Sequence, residues 1–188
     1  MASNIKKYIV TAITLGAIAM TSGLLVAGTN LITRDRIGEY EESQINQGIQ
    51  DIFDDHNDAH YTMVEEVERN KTTNKYVTSV YYVWGAKQSE SEEAPFYGWA
   101  FKTVGSNNYG KVSLIIGFNK DRIYKNISVV TNEQSFASTL KKKYIIKVQT
   151  KEREITDVSC GATYGAKLVR DMVTCAQNMV SNVEIKNG

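Results

Sequence analysis

YIVTAITLGAIAMTSGLLVAGTNLI, residues 8–32, runs for 25 residues without a charge or a proline. As a helix it reaches about 37 Å at about 1.5 Å per residue, enough to cross a hydrocarbon core of about 30 Å with some tilt. Val26, Ala27 and Gly28 are small enough for a signal cleavage site. The apolar run nevertheless exceeds the roughly 7 to 15 residues of a secretory signal, and no lipobox cysteine follows, so a retained single-pass anchor is expected. Ala12, Gly16, Ala19, Gly23 and Ala27 recur every three or four residues. That spacing lines small side chains along one face, where another membrane helix can approach closely. Lys6 and Lys7 precede the run while Arg34 and Arg36 follow it, so charge leaves the orientation open.

The remainder of the 188 residues has the length of one domain. The chain carries 22 Lys and Arg against 21 Asp and Glu. Such a balance argues against a general nucleic-acid binder, which needs a basic excess to neutralise phosphates. Two cysteines are too few for a disulfide scaffold. The charges segregate: residues 35–93 hold 14 acidic and 5 basic side chains, residues 94–188 hold 7 acidic and 14 basic. The two halves therefore face different neighbours, or each other.

Ile37, Ile45, Ile49, Ile52 and Phe53 form a helical stripe leading on from the anchor. Residues 76–84, 96–104, 112–119 and 123–131 read as strands separated by polar turns, the pattern of antiparallel hairpins. A short helix is expected over residues 133–143. An amphipathic helix starting near Ala162 or Thr163 carries Leu168, Val169, Met172, Val173, Ala176, Met179, Val180 and Val183 on one face. The fold expected is α+β: a single N-terminal transmembrane helix, then an antiparallel sheet with flanking helices, divided into an anchor (1–33) and one domain (34–188).

Several motifs mimic chemistry. Residues 105–111, GSNNYGK, have phosphate-loop spacing, but Val112 stands where the Mg-binding hydroxyl belongs and a strand follows instead of a helix. A hairpin turn is expected there. Asp54, His56, Asp58 and Glu65 imitate a calcium loop, yet Ala59 replaces the glycine its sharp turn needs. His56 and His60, four apart, lack the HExxH glutamate and any nearby cysteine, so solvated histidines are expected and no metal site. Two histidines without GxSxG leave hydrolytic triads little basis. Asn70-Lys71-Thr72 and Asn126-Ile127-Ser128 match the glycosylation pattern, as short chains do by chance.

DVSCGATYGA, residues 157–166, differs from these. Small residues crowd the entry to the last helix, and Thr163 sits in its first turn, where unpaired amides and the helix dipole favour a phosphate. Gly161, Ala162, Gly165 and Ala166 leave room for a ligand against the backbone. An ordinary helix entry with Thr163 as its cap explains the same residues equally well. Cys160 lies near this helix start, but a helix beginning at Thr163 carries Cys175 about 18 Å away, beyond disulfide reach.

The stretch resembles the flavinylation motif Asp-x-x-[Ser/Thr]-Gly-Ala-Thr of FMN-binding domains, matched by Asp157, Gly161, Ala162 and Thr163. Such domains occur in the RnfG component of the Rnf ion-translocating ferredoxin:NAD oxidoreductase and in the related flavin-bearing component of the sodium-pumping NADH:quinone oxidoreductase. The anchor ending in NLITRDRI (residues 30–37) is similar to that of RnfG, and Tyr109-Gly110 before the strand at 112–118 is similar to the family's G-Y-G-x-[IV] core. The resemblance implies covalent FMN on Thr163 through a phosphoester, installed by a separate flavin transferase from FAD with Mg. The threonine oxygen is then a tether, and the isoalloxazine carries the electrons.

It further implies a binding site of Thr163, Ala162, Gly161, Cys160, Asp157, Tyr109, Gly110 and Glu133, and no catalytic or metal residue. The partners are other integral membrane subunits of an Rnf-like complex. The location is the cell membrane, with the N-terminus cytoplasmic and the domain outside. The chain would be a redox subunit of a translocase and not an enzyme alone. Two departures stand out: Cys160 takes the usual Ser or Thr position, and TNEQSFA (131–137) replaces E-T-P-G-L-G, with only Glu133 matching. A stand-alone extracellular flavoprotein and a non-redox membrane-tethered binding or scaffold module are the competing expectations.

Overall fold

The computed structural model describes residues 2–67, 74–86 and 94–185. Helix α1, Ala2–Ile52, leads into strands β1 (His60–Glu66), β2 (Val77–Trp84), β3 (Phe96–Asn107), β4 (Gly110–Asn119) and β5 (Tyr124–Asn132). A helical segment follows, made of α2 (Ala137–Leu140), a π-helical turn (Lys141–Ile145) and α3 (Ile146–Gln149), before α4 (Thr163–Val180) closes the fold. The contacts divide into two compact units, Met1–Ser43 and Gln44–Gly188. The first is helical, and its apolar window Tyr8–Thr29 has no buried residue. A single apolar helix of this length fits a single-pass membrane anchor. The side chain of Ile37 and the sequon at Asn70-Lys71-Thr72 lie outside the described residues.

The second unit is built on a five-stranded antiparallel meander, β1-β2-β3-β4-β5. Alternate residues of each strand supply two separate cores. Tyr81, Val83, Ala100 and Ile115 point to one face, where the last turns of α1 bury Ile45, Ile49, Ile52 and Phe53. Gly117 makes this contact possible, since a Cβ there would fall 2.2 Å from the Ile52 Cγ2. Val80, Tyr82, Trp99, Phe101, Leu114, Ile116 and Phe118 point to the other face, against Leu140, Tyr144, Val169, Met172 and Val173. Covering both faces explains why β2 and β4 read as nearly continuous apolar runs.

The expected α+β class holds, with the four predicted strands present within a few residues. Strand β1 is not predicted by pattern: HYTMVEE is polar and acidic, and it is held by pairing with β2. Tyr82 donates to Glu65 and Ser79 to Glu66, both at 3.0 Å. Burial, reinforced by Glu65, pushes the Tyr82 hydroxyl up to about 12. The helix expected at 133–143 starts at Ala137 instead and runs on to Gln149. Asn132 ties down the intervening turn by accepting from the Gln134 amide and donating to the Ala137 carbonyl. The helix continues because Tyr144, Ile145 and Val148 bury against the sheet.

Candidate functional site

The β3–β4 hairpin and the start of α4 meet at one end of the sheet. Asn107 pairs with Gly110 across a tight turn, as expected for the false phosphate loop. Gly110 has φ +132°, and a Cβ there would lie 2.2 Å from the Glu133 carbonyl oxygen. The turn after β5 is thereby drawn onto the hairpin, and the Ser135 amide donates to the Tyr109 carbonyl at 2.7 Å. Asn107 completes the junction. Its Oδ1 accepts from the Tyr109 amide at 2.9 Å and from Gln134 Nε2 at 3.1 Å, and its Nδ2 donates to the Tyr164 carbonyl at 3.2 Å.

These contacts enclose a cavity of about 220 Å³ lined by Tyr109, Gln134, Phe136, Leu140 and residues 161–165. Gly161, at φ +79°, turns the chain into the helix. Ala162 is the N-cap and makes no side-chain capping bond, so Thr163 is the first helical residue and not the cap. The Ala166 amide is bonded back to the Ala162 carbonyl, which leaves the amides of Thr163, Tyr164 and Gly165 without partners among the described residues. The Thr163 hydroxyl also has no partner there. Tyr109 stacks on Tyr164 with centroids 5.3 Å apart, and Phe136 lies 6.4 Å from Tyr109. Phe136 and Tyr164 are more than half exposed, so the mouth of the cavity is an aromatic rim.

Of the expected site residues, Tyr109, Gly161, Ala162 and Thr163 line this cavity. Gly110 and Glu133 stand behind it and fix the turn through the backbone approach just described; the Glu133 side chain is exposed. Cys160 is buried in the core and does not line the cavity. Neither it nor Cys175 forms a disulfide. Asp157 is exposed and shapes the preceding loop: it accepts from the Ser159 amide, while Arg153 bonds the Asp157 and Ser159 carbonyls. Sequence reasoning missed Asn107, Gln134, Phe136, Leu140 and Tyr164. Segment 131–137 stands out as divergent, but nothing in it marks Gln134 as an inward-facing side chain.

A larger cleft of about 800 Å³ opens at the other end of β3 and β4, around Phe96, Asn119 and Tyr124. Of the calcium-like residues, His56 lines it and Asp58 binds its Tyr97, whereas Glu65 is engaged by Tyr82 elsewhere. Asp58 accepts from the Ala86 amide at 2.8 Å and the Tyr97 hydroxyl at 2.9 Å, and those donors hold its carboxyl below the usual range. His56 lies flat on Tyr97, with centroids 3.8 Å apart. Because α1 ends at Ile52, His56 and His60 share no helix face. Among the described residues, no group of three or more His, Cys, Asp or Glu is placed to hold a metal ion.

Residues 1–52 match the family model described as the RnfG N-terminal region. The match supports the resemblance to RnfG and lies outside the segment bearing Thr163. No curated protein matches the chain.

Proposed function

We propose that the chain is a membrane-anchored flavoprotein that carries FMN covalently on Thr163 and passes electrons within an Rnf-like ion-translocating complex. The carrying observation is the Thr163 hydroxyl, unpartnered at the open N-terminus of α4 in the wall of a cavity. The resemblance of residues 1–52 to the RnfG N-terminal region supplies the context, since that family is known for flavoproteins of multi-subunit complexes.

The residues present fit the group. Three free amides and the positive helix end suit a phosphate, and Gly161 leaves its approach open, with only the Thr139 methyl near at 3.8 Å. About 220 Å³ is less than the roughly 300 Å³ of a small whole-ligand pocket. It suits the phosphate and sugar-alcohol arm, with Tyr109, Phe136 and Tyr164 offering apolar surface to a ring at the mouth. Bound flavin supplies one- and two-electron chemistry. The chain supplies the tether oxygen, the amides that neutralise the phosphate and the aromatic rim. The domain, residues 34–188, lies outside the membrane with the N-terminus in the cytoplasm.

Coexpression with a flavin transferase is the test. The protein should give a fluorescent band that survives denaturing electrophoresis, and Thr163→Ala should abolish it; a dark wild-type band refutes the reading in favour of a non-redox tethered module. Copurification with integral membrane redox subunits supports the complex, whereas a flavinylated chain isolated alone favours a stand-alone carrier.

A further inference from the structure

We infer that Gln134 is a ligand-binding residue whose side-chain carbonyl accepts a hydrogen bond from a hydroxyl of the flavin's ribityl arm. The inference rests on the flavin reading above and adds a specific recognition contact to it. Gln134 is 6% exposed, among the few buried polar side chains of the domain, and it lines the Thr163 cavity. Its amide orientation is dictated by its neighbours. Nε2 lies between the Gly110 carbonyl and Asn107 Oδ1, both acceptors, and Asn107 Oδ1 is itself fixed as an acceptor by the Tyr109 amide. The nitrogen must therefore face the hairpin.

Oε1 is left toward the first turn of α4, where a Cβ added to Gly165 would lie 3.4 Å from it. It accepts from no donor among the described residues. That oxygen is open to the cavity and can only accept, so it suits a ligand bearing O–H or N–H. The amides of residues 163–165 and the Thr163 hydroxyl, on the same cavity wall, suit the phosphate end of the ligand. Gln134 sits beside the same helical turn, within the short reach of an arm starting at that phosphate. The arm's hydroxyls are donors, and the phosphate oxygens are not.

The test uses the full chain, flavinylated by the transferase with FAD or with FAD analogues lacking one ribityl hydroxyl each. Fluorescence lifetimes give the ratio of flavin docked against the tyrosines to flavin swinging free on its tether. One analogue should lower that ratio in the wild type by about threefold to tenfold, the worth of one hydrogen bond. Gln134→Leu with ordinary flavin should lower it equally, and the two changes together should go no further. Unchanged ratios with all analogues, or effects that multiply, overturn the inference and leave the flavin reading intact. The analogue arm needs no substitution, so a Gln134→Leu chain that fails to fold does not shield the idea. A wild type that takes no flavin overturns both.

Discussion

Two cavities of the domain lie at opposite ends of the same pair of strands and differ in how their polar groups are employed. The larger, about 800 Å³, is rich in charge, but much of that charge has partners. Asp55 pairs with Lys125, Arg153 bonds two carbonyls and the Asp157 carboxylate, and Tyr97 is engaged by Asp58 and His56. The smaller, about 220 Å³, has no charged lining residue and yet holds three amides, the Thr163 hydroxyl and an amide oxygen that have no partner among the described residues. Unused hydrogen-bonding capacity, more than volume or charge, separates a candidate site from a surface fold.

The largest expected effect divides chemistry from stability at the small cavity. Thr163→Ala should remove all covalent flavin while shifting unfolding by no more than about 0.5 kcal/mol, because the lost hydroxyl has no partner among the described residues. Denaturant melts beside in-gel fluorescence measure both; a large loss of stability would show that Thr163 serves the fold. Gly110→Ala should do the reverse, costing about 2–3 kcal/mol through positive φ and a clash with the Glu133 carbonyl. Flavin attachment should fall with it, since the same contact holds the turn carrying Gln134.

In the large cleft the Tyr124 hydroxyl is buried with no partner among the described residues. Burial pushes its pKa well above the usual tyrosine value. Tyr124→Phe should be neutral or stabilising by up to about 1 kcal/mol. A clear destabilisation in thermal melts would mean that the hydroxyl is engaged after all. Lys125→Met should cost less than about 1 kcal/mol, as half-exposed ion pairs do.

The smallest effect is at low pH. Asp58 ionises below the unfolded carboxylate value of about 3.9. Its contribution is therefore complete above that value and fades as pH falls through the lower folded one, so the acid step followed at Tyr97 in the wild type should be missing in Asp58→Asn.

Much of the architecture was legible because it depends on local pattern. An uncharged run long enough to span a bilayer, four β-rich runs and the 3.6-residue periodicity of α4 all survive into the structure. Strand β1 was not legible: its acidic residues are held by Tyr82 and Ser79 of the neighbouring strand, contacts no local pattern announces. The site divides similarly. Thr163 and its small neighbours stood out as a motif, whereas Asn107 and Gln134, 27 residues apart, carry no shared signal.

By itself the sequence determined the long apolar helix, most of the strand and helix content and the crowding of small residues around Thr163, since these follow from hydropathy, periodicity and residue type over short spans. Only the tertiary structure decided that Thr163 is the first helical residue and not its cap, that Cys160 and Asp157 support the loop from outside the cavity, and that the Gln134 amide faces inward. Those outcomes depend on which distant groups the fold brings within hydrogen-bonding reach, and no local pattern encodes that distance.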